Sequence, residues 1–338
     1  MSLVALAIDS MLPALGTIAS DLGARAPNDR QLVLTLFFGG LTAGQLIYGP
    51  LADALGRKRA MALGLAVLAL GSLVCFFATS FPMVLAGRVV QGLGAAGPRI
   101  VALAVIRDLY AGREMARIMS FVTAVFILVP IVAPSMGQGV LLLGSWRAIF
   151  AVLGCASAIV LVWFLLRQEE TLAPEGRTPL SARGVARVLL EILKTRQTLR
   201  YTVAAGLVFA ALIAYLATAQ QIFGEIYQLG TAFPLYFAAL AASLGVASIV
   251  NGRLVIRFGM RALSGGALRV SVAVSTAFLG VALATGGHPP LWAFMTYMLV
   301  VFFCNGLLFG NFNALAMEPV GHVVGSAASV VEIGRAHV

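Results

Sequence analysis

The sequence predicts an all-α polytopic membrane protein. Of its 338 residues, 60% are hydrophobic and 11% are charged, and the mean hydropathy is +0.98. Soluble domains carry about 25% charged residues. Apolar runs recur along the whole chain, and each has the roughly 20 residues that an α-helix needs to cross a bilayer. Because one soluble core could not bury so much apolar surface, we expect a bundle of membrane-spanning helices.

Ten complete spans are predicted, and an eleventh begins near residue 323. The ten runs lie at about 2–20, 31–52, 60–79, 83–106, 118–140, 147–166, 200–222, 233–252, 264–285 and 291–314. Most connections between them are short, so consecutive helices should be antiparallel neighbours.

The distribution of positive charge predicts the orientation in the membrane. Sixteen Lys and Arg residues fall in loops on one side and three on the other. Cytoplasmic loops carry the excess of Lys and Arg. The N-terminus is therefore predicted to be cytoplasmic, and the net charge of +10 is explained as loop charge rather than as a nucleic-acid surface.

The chain divides into two transmembrane parts. We predict an N-terminal half at 1–166, a polar cytoplasmic linker with a surface helix at 167–199, and a partial C-terminal half at 200–332. Residues 333–338 are interpreted as a non-native tail, so the fold is expected to be truncated near the start of helix 11. A shift of 203 residues repeats the glycines and cations that follow the second span, which is weak internal symmetry between the halves.

Ionisable residues inside the spans are the first candidates for function, because they are costly in lipid. Asp9 lies about one helical turn before Pro13, which is expected to kink the helix. A carboxylate there is a candidate proton carrier or contact for a cationic substrate. Arg88 and Gln91 are three residues apart and share a helix face, where Arg88 would act electrostatically. Arg99 and Arg269 lie nearer helix ends and are expected to extend to the cytoplasmic surface.

Other candidates are polar or helix-breaking residues in the spans. The fifth span contains two prolines and two glycines that predict a bend and a close-packing face: Pro130, Pro134, Gly137 and Gly139. The second half contains amides that either line a cavity or bond between helices: Gln220, Gln221, Asn305, Asn311 and Asn313. No catalytic triad, phosphate loop or metal-ligand spacing is found, so neither an enzyme nor a metal or other cofactor is predicted.

The loop between the second and third spans is the most distinctive stretch. It reads Gly49-Pro-Leu-Ala-Asp53-Ala-Leu-Gly56-Arg57-Lys58-Arg59. Gly49 and Gly56 are expected to permit a tight reversal. This stretch resembles the conserved loop of the major facilitator superfamily, G-x-L-A-D-x-x-G-R-K/R.

Further motifs resemble one branch of that superfamily, the bicyclomycin-resistance type of drug/proton antiporters. The Asp9-x-x-Leu-Pro13 stretch partly matches its first helix, Arg88-x-x-Gln91-Gly-x-Gly94 its fourth, and Pro130 to Gly139 its fifth, with Gln138 replacing a usual glycine. The segments Arg107–Leu109 and Ser145–Phe150 are also similar.

The resemblance implies two six-helix halves that export small amphipathic drugs in exchange for protons by alternating access. It assigns Asp9, Arg88 and Gln91 to coupling or substrate contact. It assigns a conformational latch to the loop: Gly49, Asp53, Gly56, Arg57 and Lys58. A further hypothesis is that Asp53 caps helix 11 near residues 325–329.

Alternatives remain open at this stage. One is a proton-linked transporter of a single metabolite, such as an amino acid or a sugar. Another is a membrane receptor or assembly factor that does not transport. For the exporter we expect a monomer in the bacterial inner membrane, with protons as the coupling ion and drug-like molecules as partners.

Overall fold

The computed structural model describes residues 2–319 apart from 25, 27, 111, 179–189, 191 and 192. The predicted surface helix in the linker, the predicted eleventh span and residues 333–338 lie wholly or mainly outside this range. The division of the chain into halves therefore stays a prediction.

The described residues form long α-helices joined by short turns. The helices are α1 (Ser2–Asp9), α2 (Leu15–Asp21), α3 (Leu32–Leu55), α4 (Arg57–Phe76), α5 (Phe81–Leu109), α6 (Gly112–Leu143), α7 (Arg147–Arg167), α8 (Arg196–Gln220), α9 (Phe233–Phe258), α10 (Met260–Ala284) and α11 (Leu291–Met317). Short 3-10 helices occur at Leu12–Ala14, Asp29–Gln31, Pro174–Gly176 and Gly230–Ala232, and a π-helix at Gln221–Ile226. Helices are the structure expected in a lipid bilayer, because an α-helix pairs its backbone polar groups within the same segment.

Within the described part of the chain, nine helical segments are long and apolar enough to cross a membrane. The first of them joins α1 and α2, and the sixth joins α8 to the π-helix. In α6 the apolar stretch is the shorter segment Leu128–Leu143. The observed helices coincide with the ten predicted runs to within a few residues at most ends.

The first span is broken, as Pro13 predicted. Helix α1 ends at Asp9, and a 3-10 turn at Leu12–Ala14 precedes α2. Proline has no N–H to continue an α-helix. The break therefore leaves Asp9 at a helix end deep inside the bundle, where it is 5% exposed.

Helix packing places the break between two groups of helices, which we call the first part (α1–α7) and the second part (α8–α11) of the chain. In the first part α5 packs against α3 and α4, and α4 also packs against α7. In the second part α11 packs against α8, α9 and α10. Helix α9 lies against α6, and α8 contacts the turn at Leu12–Ala14, so the broken first span belongs to the surface that the second part covers.

Glycines make the same reversal in both parts. Gly56 joins α3 to α4 with a φ of 94°, and Gly259 joins α9 to α10 with a φ of 76°. They are 203 residues apart, which is the predicted repeat. Residues with a side chain rarely adopt this region. Gly49, in contrast, lies inside α3, so the expectation that it helps the chain to reverse was wrong.

We predict that Gly56→Ala destabilises the protein more than Gly259→Ala does. Both changes force a side chain into positive φ, which costs about 1 kcal/mol or more. At residue 56 the new methyl group would also lie 2.7 Å from Cδ of Glu170, whereas at 259 it would meet no atom within 4 Å. Thermal unfolding of both variants in the same detergent measures the difference. Equal losses would contradict the packing around Gly56.

Candidate functional site

A mostly apolar cavity lies between the two parts of the chain. Its volume is about 180 Å³, and its wall comes from α1, α3, α5, α6, α8, α9 and α11. Five phenylalanines line it: Phe38, Phe209, Phe237, Phe302 and Phe309. Aliphatic residues complete most of the wall: Val4, Ala5, Ile8, Leu212, Leu216, Ala241 and Leu244. Small-molecule sites are generally lined in this way, with a few polar groups that fix orientation.

Two charged residues face this cavity, Asp9 from the end of α1 and Arg99 from α5. Within the described residues, no hydrogen bond or ion pair reaches the Asp9 carboxylate. The nearby hydroxyl of Tyr215 interacts with it electrostatically and has no hydrogen-bond partner there either. Asp9 thus lies where both a proton and a cationic ligand could reach it.

Arg99 is half-buried and forms part of the cavity wall, a position that the sequence did not predict for it. The spacing from Arg88 could have indicated that Arg99 faces the inside of the bundle. Arg99 follows Arg88 by 11 residues, or close to three turns, and so lies on the same face of the helix.

The guanidinium of Arg88 is fully buried and binds backbone oxygens rather than a carboxylate. Nε donates to the carbonyl of Val33 at 2.9 Å, and Nη1 donates to the carbonyl of Ala7 at 3.1 Å. The ring of Phe37 lies 4.3 Å from the guanidinium carbon. Arg88 therefore joins α5 to α3 and to α1, two residues before Asp9.

Gln91 completes this network. Its Oε1 accepts a hydrogen bond from Nη1 of Arg88, and its Nε2 donates to Oγ of Ser72 at 2.8 Å. Ser72 in turn donates to the carbonyl of Leu68 at 2.9 Å. Nη2 of Arg88 is buried without a partner among the described residues. The expected proximity of Arg88 and Gln91 is thus observed, but the pair holds helices together instead of facing a carboxylate.

The proline and glycine residues of the fifth predicted span lie in α6, beside the break in the first. Pro130 lines the cavity and Pro134 is buried. A Cβ added at Gly137 would lie 2.9 Å from the carbonyl carbon of Ser10, whereas one at Gly139 would meet nothing within 4 Å. Only Gly137 is therefore needed for α6 to approach the turn that follows Asp9.

The predicted latch is an ion-pair cluster around Arg57. Its Nη1 donates to Oδ1 of Asp53 at 2.5 Å, and its Nε donates to Oδ2 of Asp108 at 3.0 Å. The backbone N–H groups of Arg57 and Lys58 donate to the Glu170 carboxylate at 2.7 and 3.2 Å. Glu170 thus caps the N-terminus of α4, where the helix dipole favours an anion.

Asp108 and Glu170 are the latch residues that sequence reasoning did not assign. Glu170 is separated from Arg57 by 113 positions, and one of several Glu residues in a polar linker gives no local signal. The hypothesis that Asp53 caps helix 11 involves residues 325–329, which lie outside the described part of the chain. In the structure Asp53 pairs with Arg57.

None of the five amides of the second half, Gln220, Gln221, Asn305, Asn311 and Asn313, is part of this cavity wall. Asn251 and Asn311 exchange hydrogen bonds of 2.9 and 3.2 Å between α9 and α11. Asn305 is buried within α11. Gln220 and Gln221 lie at the end of α8 and bond to the connection between α2 and α3.

Arg30 is the centre of that contact. It donates from Nη2 to Oε2 of Glu225 at 3.0 Å and from Nη1 to Oε1 of the same carboxylate. Nη1 also donates to Oε1 of Gln220 at 3.1 Å. We call Arg30, Gln220 and Glu225 the Arg30 clamp. It joins the first part of the chain to the second, on the side opposite to Gly56.

The chain belongs to the Major Facilitator Superfamily, whose family model matches residues 1–336. It is thus a membrane transporter of this family and not an enzyme.

Three bacterial relatives show which members it resembles. It is 32% identical to a bicyclomycin resistance protein homolog from Haemophilus influenzae, covering 96% of this chain and 81% of that one. It is also 32% identical to an uncharacterized MFS-type transporter, YdgK, from Bacillus subtilis, covering 96% and 80%. A multidrug resistance protein, MdtL, from Escherichia coli is 27% identical, with 97% and 81% covered.

Among solved structures, the crystal structure of a D-xylose-proton symporter is similar to this fold. The TM-score is 0.73 at 13% identity, with 99% of this chain and 85% of that chain covered. The likeness confirms the predicted major facilitator fold.

We predict that Gly137→Ala destabilises the break in the first span while Gly139→Ala does not. The first change pushes a methyl group against the backbone of Ser10, and overpacking of this kind costs about 1–3 kcal/mol. The second places its methyl group in open space. Thermal unfolding of the purified variants provides the comparison, with Gly139→Ala as the matched control. If both variants unfold like the parent protein, α6 does not pack on the break as described.

Proposed function

We propose that this transporter exports small drug-like molecules across the bacterial inner membrane in exchange for protons. The observation that carries the proposal is an apolar, aromatic cavity between the two parts of the chain with the unpaired carboxylate of Asp9 in its wall. A proton and a cationic substrate would compete for that carboxylate. Competition for one group is sufficient to couple their opposite movements.

The chemistry of the wall favours drug-like substrates over sugars. A sugar needs a hydrogen-bond partner for each buried hydroxyl, because an unpaired buried polar group is costly. The cavity is instead lined chiefly by phenylalanine and aliphatic side chains. The names of the relatives from Haemophilus influenzae and Escherichia coli, which refer to bicyclomycin and multidrug resistance, support the same choice.

Alternating access would require the Arg30 clamp to open. The excess of positive loops on the Gly56 side supports an orientation with that side and the N-terminus in the cytoplasm. The clamp would then close the cavity from the periplasm. Its opening, together with closure on the Gly56 side, would expose Asp9 to the opposite compartment.

We predict that Asp9→Asn abolishes drug-dependent proton release. In inside-out vesicles with an imposed pH gradient, addition of an amphipathic cationic antibiotic should release lumenal protons through the parent protein. The amide has no exchangeable carboxyl proton, so the variant should give no release at equal expression. Glu175→Gln, an exposed change in the linker, is the matched control and should behave as the parent does.

Either of two outcomes would count against the proposal. One is drug-dependent proton release that persists in Asp9→Asn. The other is a folded parent protein that responds to no drug and instead exchanges protons for one metabolite.

We predict that reversing one charge of the clamp exposes the cavity to the periplasm. In a background without Cys75, Cys155 and Cys304, a Leu216→Cys probe in the cavity wall should react faster with a membrane-impermeant thiol reagent after Arg30→Glu or Glu225→Arg. Like charges repel, so each single change should speed labelling several-fold in intact cells.

The double variant Arg30→Glu with Glu225→Arg restores an opposite-charge pair and serves as the control. It should return labelling toward the parent rate. Labelling that is equally slow in all four proteins would show that the clamp does not govern access.

A further inference from the structure

Arg99 gives the cavity a second charge that the proposed exchange of a proton for a cation does not use. It faces the same space as Asp9 but has the opposite sign. The question is whether the two charges act on one end of a ligand or on two.

The lining residues show how long the cavity is. On each of three helices of the second part, the lining covers eight residues, or seven steps from first to last: Phe209 to Leu216 on α8, Phe237 to Leu244 on α9, and Phe302 to Phe309 on α11. At 1.5 Å per residue this corresponds to a length of about 10 Å along the bundle.

The chain direction places the two charges at opposite ends of that length. Helix α1 runs away from the Gly56 side and Asp9 is its last residue, so Asp9 lies toward the Arg30 clamp. Helix α5 runs the other way. Arg88 meets α1 at Ala7, and Arg99 follows Arg88 by 11 residues, or about 16 Å along the axis. Arg99 therefore lies toward the Gly56 side.

The wall is aromatic along this length. Phe38 and Phe309 both pack edge-on against Phe209, with ring centroids 6.3 and 5.9 Å apart. Such rings favour a flat apolar body. At the Arg99 end, a guanidinium suits a carboxylate, to which it can donate two hydrogen bonds.

We infer that the cavity selects elongated aromatic zwitterions, with a cationic group at Asp9 and a carboxylate at Arg99, at opposite ends of the cavity. Arg99 is then a specificity-determining residue of the substrate site. An α-amino acid is excluded as the fitting ligand, because its two charges are only a few bonds apart. The inference rests on the proposed function, which it deepens by naming the substrate class.

The test uses three compounds that differ only in charge. The zwitterion is a biphenyl with an aminomethyl group at one end and a carboxylate at the other. Its methyl ester keeps only the cation, and its N-acetyl derivative keeps only the anion. Dissociation constants are measured by calorimetry on the purified full chain in lipid nanodiscs.

The parent protein should bind the zwitterion about tenfold more tightly than either single-charge compound. Arg99→Gln should weaken binding of the zwitterion until its dissociation constant matches that of the ester, and should leave the dissociation constant of the ester unchanged. Asp9→Asn should weaken binding of the zwitterion until its dissociation constant matches that of the N-acetyl compound. Arg107→Gln, an exposed change on the same helix, should alter none of the three.

The inference is overturned if none of the compounds binds, or if Arg99→Gln changes all three affinities equally or not at all. Its failure is distinguishable from failure of the proposed exchange. If the vesicles release protons on addition of a cationic drug while Arg99→Gln leaves the three affinities unchanged, only the substrate class is wrong. If the charge-dependent binding is found and no proton is released, only the exchange is wrong.

Discussion

The buried guanidinium of Arg88 is the interaction on which the site depends. It holds the Ala7 carbonyl of α1 and the Val33 carbonyl of α3, and Gln91 and Ser72 extend its network to α4. A buried charge is costly unless hydrogen bonds compensate for it. Here the hydrogen bonds of Arg88 to the two carbonyls and to Gln91 compensate for that cost. The same network fixes three helices around the broken first span. The position of Asp9 in the cavity wall follows from this attachment and from the close approach of α6 at Gly137.

Two sets of polar contacts act at opposite ends of the bundle and differ in character. The cluster of Arg57 with Asp53, Asp108 and Glu170 joins the first part of the chain to the start of the linker and fixes the reversal at Gly56. The Arg30 clamp instead joins the first part to the second. Contacts between parts that move relative to each other must break and reform. The clamp is therefore the element whose strength would set the balance between the two sides in the proposed cycle.

Much of the fold was predictable from local patterns, but the site was predictable only in part. Apolar runs gave the spans, Pro13 gave the break and the 203-residue repeat gave the second glycine turn. Local patterns also identified Asp9, Arg88 and Gly137. They did not assign Arg99 to the cavity, Glu170 to the cap of α4 or Gln220 to the clamp. Each of these depends on which distant helix faces the residue, and the order of residues along one helix does not encode that.

The central claim is that Asp9 binds a proton that a cationic substrate displaces. The infrared difference spectrum of the purified protein, recorded on addition of a cationic drug, tests this most directly. The account predicts loss of a protonated carboxyl band that Asp9→Asn lacks from the start. A spectrum in which no such band belongs to Asp9, or in which the drug leaves the band unchanged, would contradict it.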